Sequence, residues 1–220
     1  MEIVEGIETR RSVRAFKSTP IPKDIIERIL QVASKSPSCM NTQPWEVSVV
    51  SGNKKDELSR ILYGMAESNV TSSRELSEPP AWPPELERRL KEHGARRFGD
   101  LGVERGDKQK REELRLINFK FYGAPCVLFL FMDRSLTSWS IYDMGLFSQS
   151  IALAAHSFGL GSCIQASIAN YPDAIRECLG IPKTKLLVLG ISLGYPDWEA
   201  PLNTYQSTRV SMEDFTTWHT

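Results

Sequence analysis

Residues 124–133, APCVLFLFMD, form a nearly unbroken apolar run closed by an acid. So short a run with no polar alternation reads as a strand buried on both faces, at the centre of a sheet. The rest of the chain has to cover those two faces. Downstream, residues 140–161 (SIYDMGLFSQSIALAAHSFGLG) are apolar on more than one side and end in glycines, which predicts a central buried helix. A short strand at 161–166, a helix near 171–179 and a strand at 185–194 (KLLVLGISLG) follow.

Upstream, WEVSVVS (45–51) is the first strand candidate, and Gly52-Asn53 turns into a helix carried by Leu58, Ile61 and Leu62. Before it, an amphipathic helix follows FKSTPIP. Asp24 and Glu27 occupy capping-box positions there, and Ile25, Ile29, Val32 and Ala33 keep the helical period. Residues 2–10 suit a short helix that ends in the cluster RRSVR. Strands and helices alternate without an internal repeat. The expectation is one α+β domain over residues 1–220, with a central mixed β-sheet surrounded by helices.

Residues 66–116 break the pattern, being proline-studded and then dense in charges of both signs. Such mixing suits a solvated helical excursion. An excursion of this length also suits a lid, for which Trp82, His93 and Phe98 offer aromatic surface. The two readings are compatible.

The 220 residues are enough for a sizeable core, with 41% hydrophobic and 25% charged residues. A formal net charge of 0 gives no global field toward nucleic acid or anionic membranes. No stretch nears the roughly 20 apolar residues of a membrane span, and the acidic start does not resemble a signal peptide. Cys39, Cys126, Cys163 and Cys178 lack CxxC spacing, and the three histidines are as scattered. The expectation is a cytoplasmic, reduced chain without a metal site.

Four features can carry chemistry. RRSVR puts Arg10, Arg11, Ser12 and Arg14 within five residues, a set able to grip phosphate or simply to sit solvated at a helix end. SPSCMNTQPW (36–45) joins helix to strand with more donors and acceptors than a connection needs. GSCIQAS (161–167) reads equally as a tight strand or as backbone N–H groups facing a ligand. His156, within an apolar helix, reads as a satisfied core residue. No GxGxxG, P-loop or GxSxG is present.

In this order and spacing, RRSVRAF, SPSCMNTQPW, DMGLFSQSIALAAHSFGLGSCIQ and the terminal TRVSMEDFTTW resemble the FMN-dependent nitroreductase family. The resemblance implies a nitroreductase-like fold and an interlocked homodimer with FMN sites at the subunit interface. Arg10, Arg11, Ser12, Arg14 and Arg209 would hold the phosphate and ribityl chain. Pro37, Ser38, Cys39 and Asn41 would come from the other subunit. Cys163, Ile164, Gln165 and Ala166 would face the flavin N5 edge, with the Gln165 backbone N–H tuning N5, and Lys120 would reach the pyrimidine side. Cys39 and Ser207 depart from the commonest pattern of the family.

The implied reaction takes electrons from NADH or NADPH through FMN to a small electron-poor aromatic acceptor, a nitroaromatic or quinone. Arg96, Arg97 or Arg105 of the excursion are candidates to pair with an acceptor carboxylate. Reductive dehalogenation or dehydrogenation on the same scaffold, or flavin binding without catalysis, are the alternatives.

Overall fold

The computed structural model describes residues 2–220. Its elements are α1 (Ile3–Thr9), α2 (Lys23–Ala33), β1 (Glu46–Ser51), α3 (Gly52–Glu67), α4 (Pro84–Asp100), α5 (Lys108–Leu116), β2 (Cys126–Asp133), α6 (Ser138–Ser157), β3 (Gly161–Gln165), α7 (Pro172–Leu179) and β4 (Lys185–Gly194). The four strands form one sheet in the order β1-β2-β4-β3.

β2 is the doubly buried strand that its composition predicts. Alternate residues serve opposite faces, as a pleated strand requires. Cys126, Leu128, Leu130 and Met132 pack with Ile26, Ile29 and Ala33 of α2 and with Met144, Phe147 and Ile151 of α6. Val127, Phe129 and Phe131 pack instead with Leu58 and Leu62 of α3, Phe119, Phe121 and Ile175. With β2 inside, β3 is left at an edge.

Two expectations need correction. The sheet is not mixed: β1–β2, β2–β4 and β3–β4 all pair antiparallel, and the only parallel pairing among the described residues is an isolated Ser12–Ser162 bridge. Helices between strands suggest parallel crossovers. Here they connect strands that run in opposite directions, and composition does not distinguish the cases. The capping box of α2 is also absent: the helix starts at Lys23 after Pro22, so Asp24 lies inside its first turn. Its buried stripe is Ile26, Ile29 and Ala33, and Val32 is exposed.

The excursion is fixed at its ends and loosely covered in its middle. Ser73 N–H donates to Asn170 O at 2.9 Å, and Arg74 Nε donates to Asn170 Oδ1 at 3.0 Å. Glu75 receives both Arg176 and Arg134 as well as the Leu187 N–H, the latter at 2.8 Å. At the other end Arg115 Nη2 donates to Ala66 O at 2.9 Å. Between these anchors α4 contributes no buried residue. Of the aromatic groups expected to serve a lid, Trp82 is exposed and Phe98 lies under the Arg111 guanidinium, 4.0 Å from its ring centroid.

Candidate functional site

The segment that carries RRSVR lies along the outer edge of β3. Val13 N–H donates to Ser162 O at 2.9 Å, at the Ser12–Ser162 bridge. The approach is close enough that a Cβ on Gly161 would stand 2.6 Å from Val13 Cγ2, so glycine is required there. Asn203, buried, clamps the same segment: its Oδ1 accepts Arg14 N–H at 2.6 Å and its Nδ2 donates to Ala15 O at 2.8 Å. Nothing in the local sequence marks Asn203, because its partners lie nearly 190 residues away. The guanidinium of Arg11 stacks on Trp198, 4.3 Å from the ring centroid.

Beyond that bridge, no strand among the described residues pairs with the outer edge of β3. Arginines gather along it. Arg10, Arg11 and Arg209 line one open groove of about 740 Å³ with His156, Trp198 and Ser207. Burial and then Arg209 hold Arg10 below the ordinary guanidinium pKa, partly offset by Cys163. Burial and then Arg14 do the same to Arg97, which arrives from α4, with Tyr122 and Cys163 opposing the shift. None of Arg10, Arg11, Arg14, Arg97 and Arg209 forms an ion pair among the described residues. The exposed arginines of α4, by contrast, pair with Glu85 and Glu92. Cations collected beside an edge strand without carboxylate partners have the chemistry to receive an anion. Arg209 here curls onto its own segment, donating to Ser207 Oγ at 2.8 Å.

His156 lies half-buried at this groove and outside the core. Thr9 Oγ1 spends its proton on Glu5 O at 2.7 Å, so it must accept from His156 Nε2–H at 2.8 Å. Burial and Arg10 lower the imidazole pKa, against a smaller opposing effect of Glu5. The histidine is satisfied, as its context suggests, but by the arginine-bearing end of α1.

Further along β3, Cys163 and Gln165 are buried while Ile164 and Ala166 are exposed. Gln165 uses its side chain inward, accepting from Ser192 Oγ at 2.5 Å and donating to Asn118 O at 3.1 Å. Asn118 Oδ1 accepts from Tyr122 Oη at 2.6 Å and Ser167 Oγ at 3.2 Å. Phe121 and Tyr122 have φ of 56° and 55°, an uncommon conformation for bulky residues that turns Tyr122 toward the arginines. Burial raises the Tyr122 phenol pKa. Lys120 does not join this group: it is exposed, with Nζ 4.3 Å from the Tyr63 ring centroid. Asn118 and Tyr122 lie beside β3 instead, and their spacing by four residues was the available signal.

The polar loop stands elsewhere. Cys39 N–H donates to both carboxylate oxygens of Asp143, each at 3.2 Å, and Ser38 Oγ accepts Gln43 N–H at 3.0 Å. Met40, Asn41 and Gln43 all have positive φ, and Pro37, Cys39, Met40 and Asn41 are exposed. Backbone strain is held here by Asp143 and by the loop's own bonds. On α6, Asp143 lies about 20 Å of helix from His156. The loop and the arginines of one chain are therefore far apart.

Comparison with known proteins fits this arrangement. Residues 7–195 match the Nitroreductase family. The chain is 34% identical over 210 residues to 4-nitrobenzoate reductase of Pseudomonas putida, covering 96% of this chain and 92% of the relative. It is 35% identical over 211 residues to nitroreductase NfnB of Mycolicibacterium smegmatis, covering 96% and 89%. Among solved structures, the FMN-dependent nitroreductase NfnB from Mycobacterium smegmatis in complex with NADPH superposes with a TM-score of 0.94 at 30% identity, covering 99% of this chain and 97% of that one.

Proposed function

The chain belongs to the nitroreductase family, and from that premise we propose that it is an FMN-dependent oxidoreductase that uses NAD(P)H to reduce nitroaromatic compounds and similar electron-poor acceptors. The observation that carries this reading is the set of arginines along β3 that lacks any carboxylate partner among the described residues. FMN fits it: a phosphate monoester answers the cations, and an isoalloxazine edge answers the unpaired strand edge.

Arg10, Arg11, Ser12, Arg14 and Arg209 would hold the phosphate and ribityl chain, and Cys163, Ile164, Gln165 and Ala166 would lie along the ring. When bound, FMN supplies the electron relay between the reduced nicotinamide and the acceptor. The protein supplies placement. The Val13–Ser162 bond and the Asn203 clamp fix the arginines, while Ser192 and Asn118 keep the Gln165 side chain turned inward so that β3 presents backbone. Unpaired cations in a partly dry site favour the anionic charge that builds up on reduction.

The second copy belongs to the same proposal. One ligand can touch both the arginines and residues 37–41 only if the loop comes from a partner, since they lie near opposite ends of α6. Met40, 94% exposed at the tip of that strained loop, suits insertion into a neighbour. Ile3, Val4, Trp139, Tyr142, Phe215 and Trp218 add exposed apolar surface for a homodimer.

The test is steady-state turnover. NAD(P)H oxidation should rise with added nitrobenzoate and should require FMN. Oxidation that ignores the nitro compound while responding to a halogenated phenol would favour dehalogenation instead.

A further inference from the structure

Arg97 is answered only in part by the scaffold, with Tyr122 beside it. Its Nη2 is buried and has no hydrogen-bond partner among the described residues. It comes from α4, a helix that buries none of its own residues and is fastened to the body by polar contacts. His93 Nδ1 meets Tyr205 Oη at 2.9 Å, and Arg96 Nη1 donates to Thr208 Oγ1 at 2.7 Å. Tyr205 and Thr208 lie just before Arg209, so α4 rests on the segment that delivers that cation.

These contacts turn one face of α4 onto a positively charged site. Burying a guanidinium with an idle donor beside Arg14 is costly, and no carboxylate compensates it. Burial and then Arg14 lower the Arg97 pKa, and burial followed by Arg14, Arg97 and Arg209 lowers that of His93. Hydrophobic packing does little to hold the helix down, since none of its apolar residues is fully buried. An anion can.

Resting on the function proposed above, we infer that Arg97 is an additional anion-binding residue, carried to the arginine site by α4, and that an oxyanion bound between Arg97 and Arg14 holds the excursion closed. The ligand class is a phosphate or carboxylate group, whose oxygens would satisfy the idle Nη2 donor. The scaffold arginines then bind the anion with the excursion open or shut, and Arg97 converts that binding into closure.

Amide hydrogen exchange over residues 84–100 of the full-length protein, dialysed free of flavin, tests this. Inorganic phosphate or sulfate should slow exchange there by about tenfold, the scale of one regained charged hydrogen bond. Arg97→Gln should abolish the response, Arg97→Lys should restore part of it, and Lys91→Gln, altered at an exposed position of the same helix, should keep it. FMN protecting α4 where riboflavin does not would assign the anion to the cofactor phosphate. Equal protection by both flavins, with more from 4-nitrobenzoate but none from nitrobenzene, would assign it to an acceptor carboxylate. Exchange unaffected by every anion, or an Arg97→Gln protein that responds like the wild type, would overturn the inference. Protection by sulfate in a protein that binds no flavin would retain the anion site and overturn the flavin reading instead.

Discussion

Ser192 Oγ donates to Gln165 Oε1 at 2.5 Å across β4 and β3, inside a pair that is almost fully buried. This bond and the one to Asn118 O use up the Gln165 side chain, so its part in any ligand contact is left to backbone. Ser192→Ala should cost about 1–3 kcal/mol, the penalty of an idle buried acceptor. Gln165→Glu should cost more at neutral pH, since the carboxylate would face the Asn118 carbonyl with no proton to give. Burial would raise that carboxyl pKa, so the folded state keeps its proton after the unfolded state has lost it. The variant should therefore lose stability as pH rises above about 4.3. Chemical denaturation at pH 4 and pH 7 checks both the size and the sign.

Glu75 offers a second test, at the anchor of the excursion. Its carboxylate receives Arg176, Arg134 and the Leu187 N–H, and Arg176 is buried. Glu75→Ala should destabilise the fold by about 3 kcal/mol, at the low end for a broken buried pair. The cost is limited because Arg176 keeps Asp173 Oδ1 at 3.0 Å. Urea unfolding measures it. A change near zero would mean that the anchor is ornamental.

Acid should loosen α4 through His93. Burial, followed by Arg14, Arg97, Arg209 and Arg96, lowers its pKa below 6.5. When α4 lifts, the imidazole regains its ordinary affinity for protons. Falling pH therefore favours the lifted form, beginning near 6.5. Exchange over residues 84–100 should speed up as pH falls through that range once intrinsic rates are corrected, and His93→Gln should flatten the trend. His156 is shifted the same way, so His156→Gln serves as the comparison and should leave the α4 trend in place.

The cysteines test whether the site is shared between two copies. Burial pushes the Cys126 thiol up to about 12 and raises that of Cys163 as well, so neither should react before unfolding. Cys39 is exposed on the polar loop. It should label first, and FMN should slow that labelling if the loop of one copy closes the site of the other. Labelling of Cys39 at the same rate with and without FMN would contradict the shared site.

Much of the fold was legible because β2 states its position in composition: eight residues with no polar alternation can only lie inside. The arginine segment and β3 were legible as separate pieces, and family resemblance joined them. Strand direction was not legible, since Gly161–Gln165 and Lys185–Gly194 carry no mark of which way they pair. Asn203, Asn118 and Tyr122 were missed because each gains its role from partners distant in sequence or from a strained turn. Lys120 came with the family resemblance, four residues before Ala124. Its ammonium lies over Tyr63, where a ring face half out of water is a better partner than a site already crowded with cations.

The central claim is that the arginines beside β3 hold FMN and that reduced nicotinamide reaches it. The most direct measurement is the visible absorbance spectrum of the purified protein without oxygen, before and after NADPH or NADH. The account predicts a yellow protein, or one made yellow by added FMN, whose flavin bands bleach on mixing and return when a nitroaromatic is added. A protein that stays colourless and cannot be loaded with FMN would contradict it.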